Sequence, residues 1–183
     1  MIKKLATLIL FTVIPSLAHA MNVEAECDGA LAQGSYRAST DEGIVRITGE
    51  YSEGNRFGTF TIYDPAGEKL IELPYKQGFL SGTIRAWYTP GTSELSESQP
   101  KLLSDVHGGL VEGQYQTWYP NGAKRSSAVI NDGNIESFEA WQPDGSPLEI
   151  TDRQAFLGTD IEADFAYYAQ LEQVLDAYPP DCQ

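Results

Sequence analysis

The residues of this chain that are equipped for chemistry are few. Of its two histidines, His19 falls in the first 20 residues and His107 stands alone in the rest. A Ser-His-Asp or Cys-His arrangement needs a base beside its nucleophile, so either would have to be built on His107. Its place between Val106 and Gly108, in an expected turn, marks it as a surface residue. Cys27 and Cys182 are the only cysteines, and no C-x-x-C spacing suggests redox work. No H-E-x-x-H, no glycine-rich loop opening a helix and no D-x-D-x-D-G calcium loop occurs, so no metal and no cofactor is expected. The 26 acidic residues outnumber the 12 basic ones but are spread over the whole chain. A two-carboxylate glycosidase, acting on envelope glycans, is the one enzymatic alternative. The chain reads as a non-enzyme.

What stands out instead is a ladder of aromatics. All three tryptophans, Trp87, Trp118 and Trp141, share one slot of a repeating pattern with Tyr63. The pattern is seen in GNRFGTFTIYDPAG, residues 54–67, where Gly54 opens the unit, Gly58 and Phe60 follow, and Tyr63 precedes a Pro-x-Gly close. GFLSGTIRAWYTPG, GLVEGQYQTWYPNG and DGNIESFEAWQPDG repeat it with Trp in the Tyr63 slot, and Tyr88 and Tyr119 follow two of the tryptophans. The last copy has Glu136 where glycine is expected. Closing glycines at 43, 67, 91, 122 and 145 recur about every 24 residues, the length of one stacked supersecondary unit.

Each unit carries two strands. Apolar and polar residues alternate through Phe60 and Ile62, Ile84 and Ala86, Tyr115 and Thr117, Phe138 and Ala140, the period of a half-buried strand. A looser alternation follows each Pro-x-Gly turn, as in Ile71, Leu73 and Tyr75. The turns DPAG, YPNG and QPDG suit a type I turn, and the glycines at 54, 78, 109 and 133 suit positive φ. The fold expected is mainly β: a meander of stacked hairpins, an open single-layer sheet or solenoid. The serine- and glutamate-rich stretch 91–100 reads as a solvated loop.

After Ile150 the period changes. Thr151-x-x-Gln154 and Thr159-x-x-Glu162 are capping boxes, the first for a short turn ending at Gly158. Ile161, Phe165, Tyr168, Leu171, Val174, Leu175 and Tyr178 then share one face of an amphipathic helix stopped by Pro179-Pro180. Alternation puts Tyr63 and the tryptophans on the polar face of the sheet, where large aromatics need a cover or a ligand. The favoured expectation lays the helix across them. About 18 residues at 1.5 Å make roughly 27 Å, and four equivalent strands two apart span roughly 29 Å. A bulge turning these side chains inward would do the same. The alternative leaves the ladder as an exposed stripe for a peptide, protein or glycan, with the helix on the other face or capping an end.

Lys3 and Lys4, an apolar run over 5–17 and Ala18-His19-Ala20 have the shape of a secretory signal peptide. Cleavage is expected after Ala20, and the product is expected to be periplasmic or secreted. Cys27 and Cys182 then read as a disulfide joining the ends of the mature chain, against free thiols or pairing between chains. The expected parts are a leader at 1–20, a repeat domain at 21–150 and a C-terminal helical cap at 151–183. The net charge of -14 disfavours nucleic acid and anionic membrane surfaces as partners.

Gly49, Tyr51, Gly54, Gly58 and Phe60, within ITGEYSEGNRFGTFTIYDPAG, resemble the MORN repeat, and the YPNG turn with paired Trp-Tyr is similar to bacterial MORN-variant repeats, many of them labelled antitoxin-like. The resemblance covers roughly residues 30–148, with Leu73 and Pro74 departing from it. It implies a β-hairpin repeat domain used for protein binding or scaffolding, and no reaction. A partner protein is therefore expected, a basic one included. Tyr63, Trp87, Trp118, Trp141, Tyr88 and Tyr119 are the candidate contact residues. An antitoxin or immunity-like protein that neutralises a toxin is the alternative within binding.

Overall fold

The computed structural model describes residues 21–91, 93 and 95–182; the expected leader at 1–20 lies outside the described residues. Two kinds of glycine turn set the frame. At one end, Glu53-Gly54, Gln77-Gly78, Gly108-Gly109 and Asp132-Gly133 all have positive φ at both residues, the two-residue turn whose twist matches that of the strands it joins. At the other end, the N–H groups of Gly67, Gly122 and Gly145 donate to the carbonyls of Asp64, Tyr119 and Gln142. These are type I turns closed by a left-handed glycine.

The turns join β1 (Met21–Asp28), β2 (Leu31–Thr40), β3 (Val45–Ser52), β4 (Asn55–Tyr63), β5 (Lys69–Lys76), β6 (Phe79–Leu80), β7 (Gly82–Tyr88), β8 (Gln99–His107), β9 (Leu110–Trp118), β10 (Lys124–Asn131) and β11 (Asn134–Ala140). They form one open antiparallel sheet of 11 strands in chain order, with β6 beside β5. The meander is as the repeats require. Met21–Asp28, ahead of the first recognisable repeat, is its first strand. The strand after Gly78 is cut into β6 and β7 opposite Pro74, which has no N–H for the ladder. There Ser81 N–H donates to the Pro74 carbonyl at 2.9 Å. Glu136 stands in a glycine slot because β11 has only a single-residue bulge there, Ser137 pairing with Val129 and Ile135 with Ile130.

One face of the sheet is the core. Ala38, Ile47, Phe60, Ile62, Ile71, Leu73 and Ile84 are completely buried. Tyr36, Tyr51 and Tyr75 each bring a ring to within 6 Å of Phe60, at centroid distances of 5.9, 5.4 and 5.5 Å. Gly49 makes room for Phe60: a Cβ there would sit 2.5 Å from the ring, a contact that must displace something.

The cover over this face is α1 (Arg153–Ala177). It is one helix rather than a short turn and a second start: Asp152 caps it by accepting from Ala155 N–H at 2.9 Å. Gly158 and Thr159 lie inside, the Thr159 hydroxyl bonding back to the Ala155 carbonyl. Its buried side is Leu157, Tyr168, Leu171, Val174 and Leu175. α1 crosses the strands. Its 25 residues are about 37 Å long, and the eight spacings from β2 to β11 amount to about 38 Å. Beyond it, Cys182 is disulfide-bonded to Cys27 of β1, closing a sequence separation of 155 residues.

Candidate functional site

The helix lies on the face opposite the aromatic ladder, which corrects the expectation that it covers Trp87 and Trp118. The reason is polar as much as apolar. At four-residue steps, Tyr168 excepted, residues of α1 from Phe156 to Asp176 each meet a different strand. The Phe156 ring packs edge-on to Phe138 of β11 at 5.6 Å, and Asp160 accepts two bonds from Arg125 of β10, at 2.5 and 2.8 Å. Asp164 accepts from the Tyr115 hydroxyl of β9 at 2.5 Å. Farther along, Glu172 accepts from Tyr75 of β5 at 2.9 Å and Asp176 from Arg56 of β4 at 2.5 Å. The Tyr178 carbonyl takes the Tyr36 hydroxyl of β2. One helical turn of about 5.4 Å approximates one strand spacing of about 4.8 Å. Two i, i+4 carboxylate pairs, Asp160–Asp164 and Glu172–Asp176, are thereby set against a row of donors.

Bulges do occur just before the tryptophan slot in three of the repeats, but they do not turn the ladder inward. Trp87 pairs with Pro100, Trp118 with Lys124 and Tyr63 with Lys69, leaving Lys101, Arg125 and Leu70 as the extra residues. Arg125 reaches Asp160, Leu70 packs on the core, and the Lys101 amine lies 4.0 Å over the Tyr167 ring of α1. Burial lowers the Lys101 pKa despite the nearby Asp164 carboxylate. Burial likewise raises that of Asp164, against the Tyr115 hydrogen bond and Lys101. These groups serve the helix seam.

The outer face has the ladder. Tyr63, Trp87, Trp118 and Trp141 are each half-buried. The Lys124 amine stands 5.9 Å from both the Trp118 and Trp141 rings and reaches Gln116 on the same face at 3.4 Å. Tyr63 has Thr48 as a hydroxyl neighbour at 3.4 Å. The result is an aromatic row with a cation at its β9–β11 end, an arrangement that suits stacking and hydrogen bonding. Tyr88 and Tyr119 are not brought into it. Their hydroxyls donate to the carbonyls of Trp118 and Trp141, the same slot one repeat on, at 3.2 and 3.0 Å. They therefore pin repeat to repeat and hold the ladder's backbone in place.

Asp64 does the same at the Pro-x-Gly end. It is fully buried. Its carboxylate accepts from the N–H groups of Ala66 and Glu68 at 2.8 and 2.9 Å, and from Gly91 of the next turn at 2.9 Å. Burial would raise its pKa, but the Thr89 hydroxyl and these amides outweigh it and hold it below the ordinary value. The start of the 91–100 loop is held too, the Ser93 hydroxyl donating to the Thr89 carbonyl at 2.6 Å.

His107 is exposed at the end of β8. Among the described residues no cluster of three or more His, Cys, Asp or Glu is placed to hold a metal. Sequence reasoning missed Lys124, the bulge residues and the acidic row of α1. The spacing of Asp160, Asp164, Glu172 and Asp176 was the available signal. No protein-family model matches the chain, and no curated protein matches it.

Proposed function

We propose that this is an exported, non-enzymatic β-repeat protein that binds another protein across the outer face of its sheet. The observation that carries the reading is the one-sided cover. α1 takes the inner aromatics, while Tyr63, Trp87, Trp118 and Trp141 lie on the face it leaves. Aromatic rings on a rigid sheet lose little freedom on contact, and Trp, Tyr and Arg are the residues that dominate binding energy at protein interfaces. The resemblance of the glycine and aromatic slots to MORN repeats supports a binding or scaffolding role. The net charge of -14 favours a partner with a basic surface, since like charge would slow and weaken encounter. Export rests on the signal-like residues 1–20, and the Cys27–Cys182 disulfide is compatible with an oxidising compartment.

The test is retention from envelope extract by the chain after Ala20, run beside a Trp118→Ala, Trp141→Ala double variant with an unchanged melting curve. A protein held by the first and lost from the second is expected; equal recovery on both would contradict the outer-face reading. Cell fractionation checks export: a full-length chain confined to the cytoplasm would overturn it.

A further inference from the structure

On the side of α1 nearest the two-residue turns, helix and sheet do not close on each other. A trough of about 800 Å3 runs there, with Val111, Ile130 and Ile135 as one wall and Leu157, Ile161 and Phe165 as the other. A smaller hollow of about 260 Å3 shares Gly109 and Phe165 with it and extends it along the helix past Leu80, Tyr168 and Glu172. Phe79 and Leu110, at the lips of the two hollows, are 69% and 72% exposed, the largest exposures among the described large apolar residues.

Two polar features show what the trough is suited to hold. Tyr168 is only 2% exposed, yet its hydroxyl has no hydrogen-bond partner among the described residues. Buried hydroxyls normally have one. Burial and the nearby Asp164 raise its pKa, so it remains a donor. The other buried hydroxyl without a partner, Ser104, lines neither hollow. The second feature is charge. Glu112 and Asp132 line the larger hollow and Glu172 the smaller, with no Lys, Arg or His in either lining. Glu112 is fixed by the Asp132 N–H at 3.2 Å and Glu172 by the Tyr75 hydroxyl at 2.9 Å, so these carboxylates have no cation to neutralise them there.

We propose that this trough is a second binding site, and that its occupant is an apolar peptide segment flanked by basic residues. The volume is that of a ligand cleft, and the apolar walls take side chains. The carboxylates meet lysine or arginine, and the Tyr168 hydroxyl, enclosed behind the wall of the smaller hollow, takes a main-chain carbonyl once the occupant parts that wall. An anionic amphiphile such as a fatty acid would place its head group against those carboxylates and is excluded on charge. The site shares with the outer-face reading the premise that the partner is a polypeptide, but it uses different residues.

The test titrates the intact, disulfide-bonded chain after Ala20 with fluorescent oligoleucine peptides flanked by lysine or by glutamate, and with laurate as competitor. The lysine-flanked peptide is expected to bind at least about tenfold more tightly than the glutamate-flanked one, and laurate is expected not to displace it. Ile161→Glu should abolish binding. Glu112→Lys, a surface change, should shrink the preference for lysine flanks to a few-fold even if Ile161→Glu fails to fold, since Asp132 and Glu172 remain. Tyr168→Phe should weaken binding about tenfold, as loss of one buried hydrogen bond does, while leaving the melting temperature unchanged or higher because an unpaired hydroxyl is removed. Preference for glutamate flanks, displacement by laurate, or full affinity in both Tyr168→Phe and Glu112→Lys would overturn the proposal. Loss of peptide binding in Trp118→Ala but not in Glu112→Lys would assign the peptide to the outer face, overturning this site while supporting the other.

Discussion

The two faces of the sheet are built from the same strands and both have an aromatic row, yet they meet opposite fates. On the inner face, Phe60, Tyr75, Tyr115 and Phe138 are buried, and the tyrosine hydroxyls end on carboxylates of α1. On the outer face Tyr63, Trp87, Trp118 and Trp141 stay half-buried, with Lys124 as the cation at the Trp118 and Trp141 rings. An aromatic row alone therefore does not decide where a helix docks. The acidic row Asp160, Asp164, Glu172 and Asp176 finds Arg125, Tyr115, Tyr75 and Arg56 on one side only. The apolar row of the inner face takes the apolar side of α1, and these polar pairs fix where along the strands the helix lies.

The largest effect should come from breaking the inner row. Phe60→Ala removes a fully buried ring and should cost about 3–5 kcal/mol in urea unfolding, against about 1 kcal/mol for Trp118→Ala on the outer face; equal costs would erase the distinction. Next, replacing Cys27 and Cys182 by serine frees the segment after α1 and should lower stability by about 2–5 kcal/mol, read as a drop in urea midpoint without loss of far-ultraviolet signal.

Asp64→Asn comes third. It exchanges one accepting oxygen for a donor among converging amide donors and should cost about 1–3 kcal/mol at neutral pH. Because the folded Asp64 pKa is depressed, its contribution is present above the unfolded value of about 4 and fades as pH falls through the lower folded value. The variant should therefore show less acid loss of stability than the parent; identical acid limbs would remove Asp64 from that role. Smallest is the Arg125–Asp160 seam, with side chains 32% and 12% exposed. A double-mutant cycle with Ala at both positions should give a coupling of about 1–2 kcal/mol, and none should appear between Lys124 and Asp160.

The hairpins were legible because glycine and Pro-x-Gly leave a local signature that tertiary packing does not override: Gly54, Gly78, Gly109 and Gly133 all have the positive φ their positions demand. The Cys27–Cys182 pair was legible from compartment and count. The choice of face was not, because apolar length fits either side: about 27 Å of helix matched the ladder's span as well as the true span matches the whole sheet. The apolar row of the inner face and the acidic side chains of α1 that meet donors 35 to 120 residues away in sequence decide it together, and that is a tertiary property. β1 was missed because Met21, Val23 and Ala25 alternate too weakly against Glu24 and Glu26 to stand out without β2 beside them. Thr159 looked like a second start because a capping box is also a permissible mid-helix sequence once Asp152 has supplied the cap.

All three tryptophans lie on the outer face, so their emission reports on that face alone. Acrylamide quenching of the intact protein is the most direct test of the one-sided cover. Emission that is readily quenched, and that is unchanged when Asp160 or Asp176 is replaced by Ala to loosen the helix seam, is the predicted result. Blue-shifted emission resistant to acrylamide, becoming accessible on loosening α1, would place the helix over the ladder and contradict it.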